Sequence, residues 1–243
     1  MQRAEHEPET LRARLERVRA RVEASARRAG RAPEEVELIA VSKTQPAAVL
    51  REALAAGVRD FGENRVQEAG EKIEELETGG GVRWHLIGHL QSNKARRAVK
   101  LFDCIQSVDS AALVERLERV CAEDGRESLD VLLQLDLAGE ATKTGAGVEE
   151  LPALVAALRE CARVRCRGLM TLPPYFEEAA RVRPFFRRLR ELRDELGARG
   201  LFGGAAGELS MGMSHDFEVA VEEGATMVRV GTAIFGARAR AGA

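Results

Sequence analysis

Short apolar segments alternate with longer amphipathic segments along most of the chain. This pattern predicts buried strands that alternate with helices. The predicted strands cover residues 36–41, 58–61, 84–88, 104–108, 129–135, 164–170, 208–210 and 225–230. The seventh is the weakest, because the glycine-rich stretch 203–207 before it has little strand propensity.

The segments between these strands carry helical patterns. Predicted helices cover residues 46–56, 66–76, 92–100, 111–124, 148–161 and 177–196. Before the first strand, apolar residues recur at spacings of four, three and four, at Leu11, Leu15, Val18 and Val22. They form one apolar stripe, so we expect an N-terminal helix that packs against the rest of the protein.

Eight strands alternating with helices predict a parallel sheet, and the number of strands favours a closed (β/α)₈ TIM barrel. The chain length of 243 residues is typical of one such barrel. We therefore expect a single α/β domain over residues 1–243, with the N-terminal helix in 1–32 and the barrel in 33–240. An open doubly wound sheet is the alternative.

Composition narrows the functional classes. The net charge of −2 and the 4% aromatic content give no support to nucleic-acid binding. The sequence has no signal peptide and no apolar run near the ~18 residues that a membrane span needs. Four cysteines without CxxC spacing are typical of reduced thiols (Cys104, Cys121, Cys161 and Cys166). We expect a soluble cytoplasmic protein.

Lys43 directly follows the first predicted strand. A lysine at the tip of a core strand is expected to be poorly hydrated, and a desolvated amine can attack a carbonyl to form a Schiff base. The alternative is an ordinary solvated charge that marks the end of the strand. Position alone leaves both readings open.

Gly231 and Thr232 follow the eighth predicted strand and form the strongest phosphate signal. Glycine allows close approach of an anion to the backbone, and the following turn presents N–H groups. Thr232 adds a hydroxyl, and Ser210 is expected to add a second from the seventh strand. Alternatively, Gly231 only makes a tight turn and Ser210 caps a helix.

Arg229 lies inside the apolar eighth strand, where a charge is costly unless it is paired. Either it forms a structural ion pair, or its guanidinium points into the open end of the barrel beside the Gly231 turn. Asn64 follows the second strand and is expected at the same end.

A pair of histidines and a loop lysine give weaker evidence of a binding site. His85 and His89 are four residues apart, but the segment is predicted as a strand ending in glycine, so the rings should not share a metal. Lys143 lies in a loop and is interpreted as a solvated residue, with contact to a phosphate ligand as the alternative.

Several ordered blocks resemble one known family. They are Val41-Ser42-Lys43-Thr44, Phe61-Gly62-Glu63-Asn64, the stretch 85–94, Gly168-Leu169-Met170, the stretch 209–217, and the stretch 224–236. Together they are similar to the pyridoxal phosphate homeostasis family, also called the proline synthase co-transcribed or YggS-like group. The similarity extends over nearly the whole chain after the N-terminal helix.

The resemblance implies a fold type III barrel, like the N-terminal domain of alanine racemase, that binds pyridoxal 5′-phosphate (PLP). Lys43 matches the lysine that holds PLP as an aldimine. Ser210, Gly231 and Thr232 match phosphate-binding positions. Arg229 matches the arginine near the pyridine nitrogen, and Asn64 matches a residue near the ring.

Three functions remain at this point. The first is a PLP-binding protein that takes part in PLP homeostasis without dedicated catalysis, with PLP-dependent apo-enzymes as candidate partners. The second is a PLP-dependent racemase or decarboxylase, and the third is a Schiff-base aldolase that recognises a substrate phosphate. Racemases of this fold use a second domain that supplies a tyrosine and completes a dimer. The chain ends at Ala243, and its one tyrosine, Tyr175, does not match that role. This favours the homeostasis function and a monomer.

Overall fold

The computed structural model describes residues 9–76, 80–139 and 144–236. Within these residues, eight parallel strands form a closed barrel in which each strand pairs with the next and β8 pairs with β1. The strands are β1 (Glu37–Val41), β2 (Asp60–Glu63), β3 (Arg83–Leu86), β4 (Cys104–Val108), β5 (Leu129–Leu135), β6 (Val164–Thr171), β7 (Glu208–Ser210) and β8 (Met227–Val230). The predicted barrel is confirmed, and the open sheet was the wrong alternative.

Helices surround the barrel. They are α1 (Leu11–Arg28), α2 (Ala47–Ala55), α3 (Val66–Leu76), α4 (Ala95–Leu101), α5 (Ala111–Glu123), α6 (Leu151–Arg159), α7 (Arg183–Ala198), α8 (Phe217–Glu222) and α9 (Thr232–Phe235). The predicted N-terminal helix is confirmed as α1, whose apolar stripe is buried against α8 and α9. An ion pair of 2.9 Å joins Arg21 to Glu218 of α8.

Two apolar clusters form the core. The larger lies between the strands and the helices, as expected for strands whose two faces are both covered. The smaller lies inside the barrel and consists of Ile39, Cys104, Leu132, Met170 and Met227. Polar side chains share this interior, among them Gln106, Ser210 and Arg229.

The main difference from the sequence prediction is in the second strand. The sequence predicts a strand over residues 58–61, which leaves Glu63 outside it, whereas β2 runs from Asp60 to Glu63. Glu63 is completely buried, and bonds from Ser42 and Lys72 offset the cost of burying its carboxylate. A charged residue after a glycine resembles a loop in sequence, and only the tertiary partners make it a strand residue.

No helix within the described ranges is both long and apolar enough to cross a membrane. The four cysteines are free thiols.

Candidate functional site

The turn after β1 presents Lys43 at the carboxyl ends of the strands. Ser42 is buried, whereas Lys43 and Thr44 are exposed. The expectation of a poorly hydrated Lys43 is therefore wrong, because the chain leaves the core one residue before the lysine. Thr44 has a φ of +64°, a left-handed conformation that is rare for a β-branched residue.

A buried polar network supports this turn. Lys72 of α3 donates to the carbonyl oxygen of Ser42 at 2.7 Å, to Glu63 Oε1 at 2.6 Å and to Glu68 Oε1 at 2.7 Å. Ser42 Oγ also donates to Glu63 Oε1, at 2.7 Å. The backbone N–H of Thr44 donates to Glu68 Oε1. The backbone on both sides of Lys43 is thus bonded to α3 or β2.

The two carboxylates of this network have pKa values that move in opposite directions. Burial raises the pKa of Glu63, and the bonds from Lys72 and Ser42 only partly oppose it. Burial also tends to raise the pKa of Glu68, but bonds from Lys72 and from the Thr44 N–H lower it below its usual value. Lys72 is therefore held as the counter-ion of both acids, whereas Lys43 is exposed to solvent.

The turn after β8 lies beside Lys43. Lys43, Thr44, Gly231 and Thr232 line one cavity of about 60 Å³. A Cβ on Gly231 would lie 3.3 Å from the carbonyl oxygen of Val41, so a larger residue would crowd β1. The structure therefore places the lysine and the glycine turn side by side.

Ser214, for which the sequence pattern gives no separate signal, contacts this turn. Ser214 Oγ accepts hydrogen bonds from the backbone N–H groups of Gly231 at 3.2 Å and of Ala233 at 3.4 Å. Ser210, by contrast, lies inside the barrel, where its hydroxyl donates to Gln106 Oε1 at 2.6 Å. Of these two serines, it is therefore Ser214 whose hydroxyl contacts the Gly231 turn.

Arg229 is buried and bonded to neutral oxygens. Nη1 donates to Ser210 Oγ at 2.5 Å, and Nη2 donates to the carbonyl oxygen of Thr171 at 2.8 Å. Among the described residues no carboxylate is within ion-pair distance, so the structural ion pair considered for Arg229 is not found there. Burial lowers the pKa of Arg229 to about 10, partly opposed by the charge of Asp216, so the side chain remains a cation at neutral pH.

Asn64 follows β2 and borders a different cavity. Its Oδ1 is buried and has no hydrogen-bond partner among the described residues. The cavity, of about 470 Å³, is also lined by Gly88, His89 and Lys94. Gly88 is required here, because a Cβ would lie 2.3 Å from the carbonyl oxygen of Asn64. An unsatisfied buried oxygen is a group that a ligand can satisfy.

The two histidines have different surroundings. His85 is buried beside Asp60 and Gln106, whereas His89 lies 3.4 Å from Asp109. Glu37 and Asp60 lie near His85 with ligand atoms within 4.8 Å of one another, but Arg83 is ion-paired with both carboxylates. Lys143 lies outside the described residues.

Comparison with known proteins gives a consistent result. The model of the alanine racemase N-terminal domain family matches residues 13–239. The pyridoxal phosphate homeostasis protein of Pseudomonas aeruginosa is 47% identical over 229 residues, which cover 94% of this chain and 96% of that protein. The protein of the same name from Aquifex aeolicus is 44% identical over 225 residues, covering 93% and 97%.

Solved structures agree with this. PipY of Synechococcus elongatus, solved with PLP bound, is 45% identical, with a TM-score of 0.82 over 93% of this chain and 100% of that chain. Its structure without PLP gives a TM-score of 0.83. Alanine racemase of Corynebacterium glutamicum is 20% identical with a TM-score of 0.64, over 94% of this chain and 63% of that chain, and therefore shares the fold alone.

Proposed function

The chain belongs to the pyridoxal phosphate homeostasis protein family, and we propose that it binds PLP reversibly and helps to regulate its supply without a dedicated catalytic reaction. The observation that carries the proposal is the shared cavity of Lys43 with the Gly231–Thr232 turn. PipY, at 45% identity, carries PLP in its structure and adds support.

Lys43 is the residue proposed to hold the cofactor covalently. PLP supplies an aldehyde that bonds reversibly to a primary amine. The exposed Lys43 amine suits this role, since the neighbouring Lys72 is already bonded to two carboxylates and a carbonyl. The buried network keeps Lys72 as a structural cation and directs the covalent bond to Lys43.

The phosphate is proposed to bind at the Gly231–Thr232 turn. The hydroxyl groups of Thr232 and Ser214 supply donors suited to a phosphate dianion. Ser214 Oγ accepts from the N–H groups of Gly231 and Ala233, so those two N–H groups are occupied, whereas the hydroxyl proton of Ser214 remains available to the phosphate. The resemblance implies that Ser210 is a phosphate ligand; we propose that it instead orients Arg229.

Arg229 and Asn64 are proposed to contact the pyridine ring. A permanent cation at the ring nitrogen disfavours a proton there, which reduces the capacity of the ring to stabilise a carbanion. The unsatisfied Oδ1 of Asn64 fits a role as a polar contact. Both residues hold the ring without supplying a group that transfers protons.

The non-catalytic part of the proposal has its own support. Tyr175 is 75% exposed and packs against the ring of His215 with centroids 5.0 Å apart. An exposed ring packed on a histidine is poorly suited to act as a shielded general acid or base.

The proposal also includes two further parts: PLP-dependent apo-enzymes receive the cofactor, and the protein is a monomer. The free thiols support a cytoplasmic location.

The test uses purified protein loaded with PLP. We expect visible absorbance in the wild type and its loss in Lys43→Arg, which keeps the charge but not the primary amine. Lys100→Arg, an exposed lysine of α4 that borders neither cavity, is the matched control and should keep the absorbance. The loaded protein should then leave L- and D-amino acids unchanged. Rapid racemisation or decarboxylation would refute the non-catalytic assignment.

A further inference from the structure

A chain of hydrogen-bonded side chains crosses the interior of the barrel. It starts at Asp60, the first residue of β2, whose Oδ1 lies 3.3 Å from Nε2 of His85. Gln106 Nε2 donates to His85 Nδ1 at 3.1 Å, and Gln106 Oε1 accepts from Ser210 Oγ at 2.6 Å. Ser210 Oγ in turn accepts from Arg229 Nη1 at 2.5 Å.

This chain runs across the barrel rather than along the sheet. Gln106 belongs to β4 and Ser210 to β7, which are not neighbouring strands in the barrel, so they can meet only across its interior. His85, Gln106, Ser210 and Arg229 are all buried. The hydrogen-bonded chain therefore links Asp60, at the amino-terminal end of the barrel, with Arg229, the proposed cofactor contact.

The position of every proton in the chain follows from its donors and acceptors. An amide nitrogen only donates, so the Nδ1 of His85 that faces it must be unprotonated. The ring proton of His85 then lies on Nε2, toward Asp60. Because the amide oxygen of Gln106 faces Ser210, the Ser210 hydroxyl must donate to it, and its lone pairs remain for Arg229.

Arg229 depends on this arrangement. The guanidinium of Arg229 donates to two acceptors. One is the backbone carbonyl oxygen of Thr171, which is held in place by β6, and the other is the hydroxyl of Ser210, which can rotate. Of the two contacts that hold the guanidinium, only the one to the Ser210 hydroxyl can therefore vary in direction. Gln106 removes that freedom by accepting the Ser210 proton.

We propose that Gln106 is the positioning residue for Ser210 and Arg229, and that His85 determines which way the Gln106 amide points. The inference rests on the proposed function only for the presence of the cofactor next to Arg229. The hydrogen-bond chain itself belongs to the protein without cofactor.

The charges around His85 keep this orientation. Asp60 from β2 faces Nε2, and Glu37 from β1 lies within the same small cluster. Arg83, on the strand that carries His85, is ion-paired with both carboxylates. From β4, Gln106 presents its amide nitrogen to Nδ1. The alternative amide orientation would need a proton on Nδ1 to satisfy the Gln106 oxygen.

The first arm of the test uses cofactor-free protein with ¹⁵N-labelled histidine, and His85→Asn identifies the His85 signals. We expect wild-type His85 to be neutral with its proton on Nε2. In Gln106→Glu the group opposite Nδ1 is an acceptor, so we expect His85 to become doubly protonated at neutral pH. A wild-type proton on Nδ1, or an unchanged neutral ring in Gln106→Glu, would overturn the proposal.

The second arm uses PLP-loaded protein and follows visible absorbance against pH. In Gln106→Leu, Arg229 is held less firmly and should oppose proton binding by the cofactor less strongly. The pH at the midpoint of the absorbance change should therefore rise by about one unit. Ile39→Val is the control, since it trims an apolar interior residue and leaves the hydrogen bonds intact. Equal midpoints in the two variants would overturn the proposal.

The two arms separate the two claims. A wild-type protein that takes up no PLP contradicts the proposed function, and the histidine spectra then still decide whether the chain has the inferred proton arrangement. A loaded protein whose midpoint shifts only in Gln106→Leu supports both.

Discussion

The backbone N–H of Thr44 donates to Oε1 of Glu68, and this bond holds a residue with a φ of +64°. Such a conformation costs on the order of 1–3 kcal/mol for a non-glycine residue and persists only where its surroundings stabilise it. The same carboxylate oxygen accepts from Lys72, which also bonds the Ser42 carbonyl. Helix α3 therefore determines how the Lys43 turn leaves the barrel.

Glu68→Ala removes both bonds at once. We expect the free energy of unfolding to fall by about 1.5–3 kcal/mol, because both bonds involve a charged acceptor. PLP retention should fall as well, since the Lys43 turn loses its support. Urea denaturation and cofactor retention on a desalting column measure the two effects. Glu74→Ala, exposed on the same helix, is the control, and an equal loss there would contradict this role.

Lys72→Met leaves two acids without their shared counter-ion. Breaking a buried ion pair by removing one partner costs about 3–5 kcal/mol. The pKa of Glu63 is already raised by burial, and loss of Lys72 should raise it further. A raised pKa in the folded state means that folding favours the protonated acid, so this destabilisation should be small at low pH and grow as pH rises. Denaturation at pH 5 and pH 8 tests the sign.

The double variant Lys72→Met/Glu63→Gln checks the cause of that loss. Neutral glutamine removes the uncompensated charge, so we expect part of the stability to return at pH 8. No recovery would mean that Glu63 is not the source of the penalty.

The pKa of Glu118 is shifted in the opposite direction to that of Glu63, so its contribution to stability should depend on pH in the opposite sense. Burial tends to raise its pKa, but backbone N–H bonds from Val164, Arg163 and Ala162 lower it below the usual range. A lowered folded pKa contributes stability above the unfolded pKa of about 4.3, and this contribution is lost as pH falls through the folded value. The difference in melting temperature between wild type and Glu118→Gln should therefore shrink from pH 7 to pH 3.5. A constant difference would contradict the assignment.

The two serines should differ in their effect on phosphate. Ser214→Ala removes a hydroxyl at the Gly231 turn, and we expect PLP affinity to fall roughly tenfold, as for the loss of one bond to a charged group. Competition by inorganic phosphate should weaken in parallel. Ser210→Ala should leave phosphate competition nearly unchanged and alter the absorbance of bound PLP instead. The reverse result would restore Ser210 as the phosphate ligand.

The difference between these serines shows where sequence reasoning reaches its limit. Both lie in one short segment, and spacing alone does not distinguish them. Gly212, between them, has a φ of +91°, and its Cβ would lie 2.5 Å from that of Ala220. This bend leaves Ser210 inside the barrel and carries Ser214 to the Gly231 turn, which becomes visible only in three dimensions.

Other parts of the structure were accessible from local pattern. Short apolar runs predict the strands because both faces of a parallel barrel are buried. The stripe from Leu11 to Val22 predicts α1 because one face of that helix is buried. That uniform burial also hides which strand residues face the interior. Gln106 gave no signal in sequence, because its importance comes from partners on β3 and β7.

Covalent attachment of PLP to Lys43 is the central claim, and peptide mass analysis tests it most directly. The loaded protein is reduced with borohydride, digested, and searched for peptides that carry one reduced pyridoxal phosphate. We expect this modification on the peptide containing Lys43, and we expect its loss in Lys43→Arg. Modification at another lysine in the wild type, or none at all in a protein that remains coloured before reduction, would contradict it.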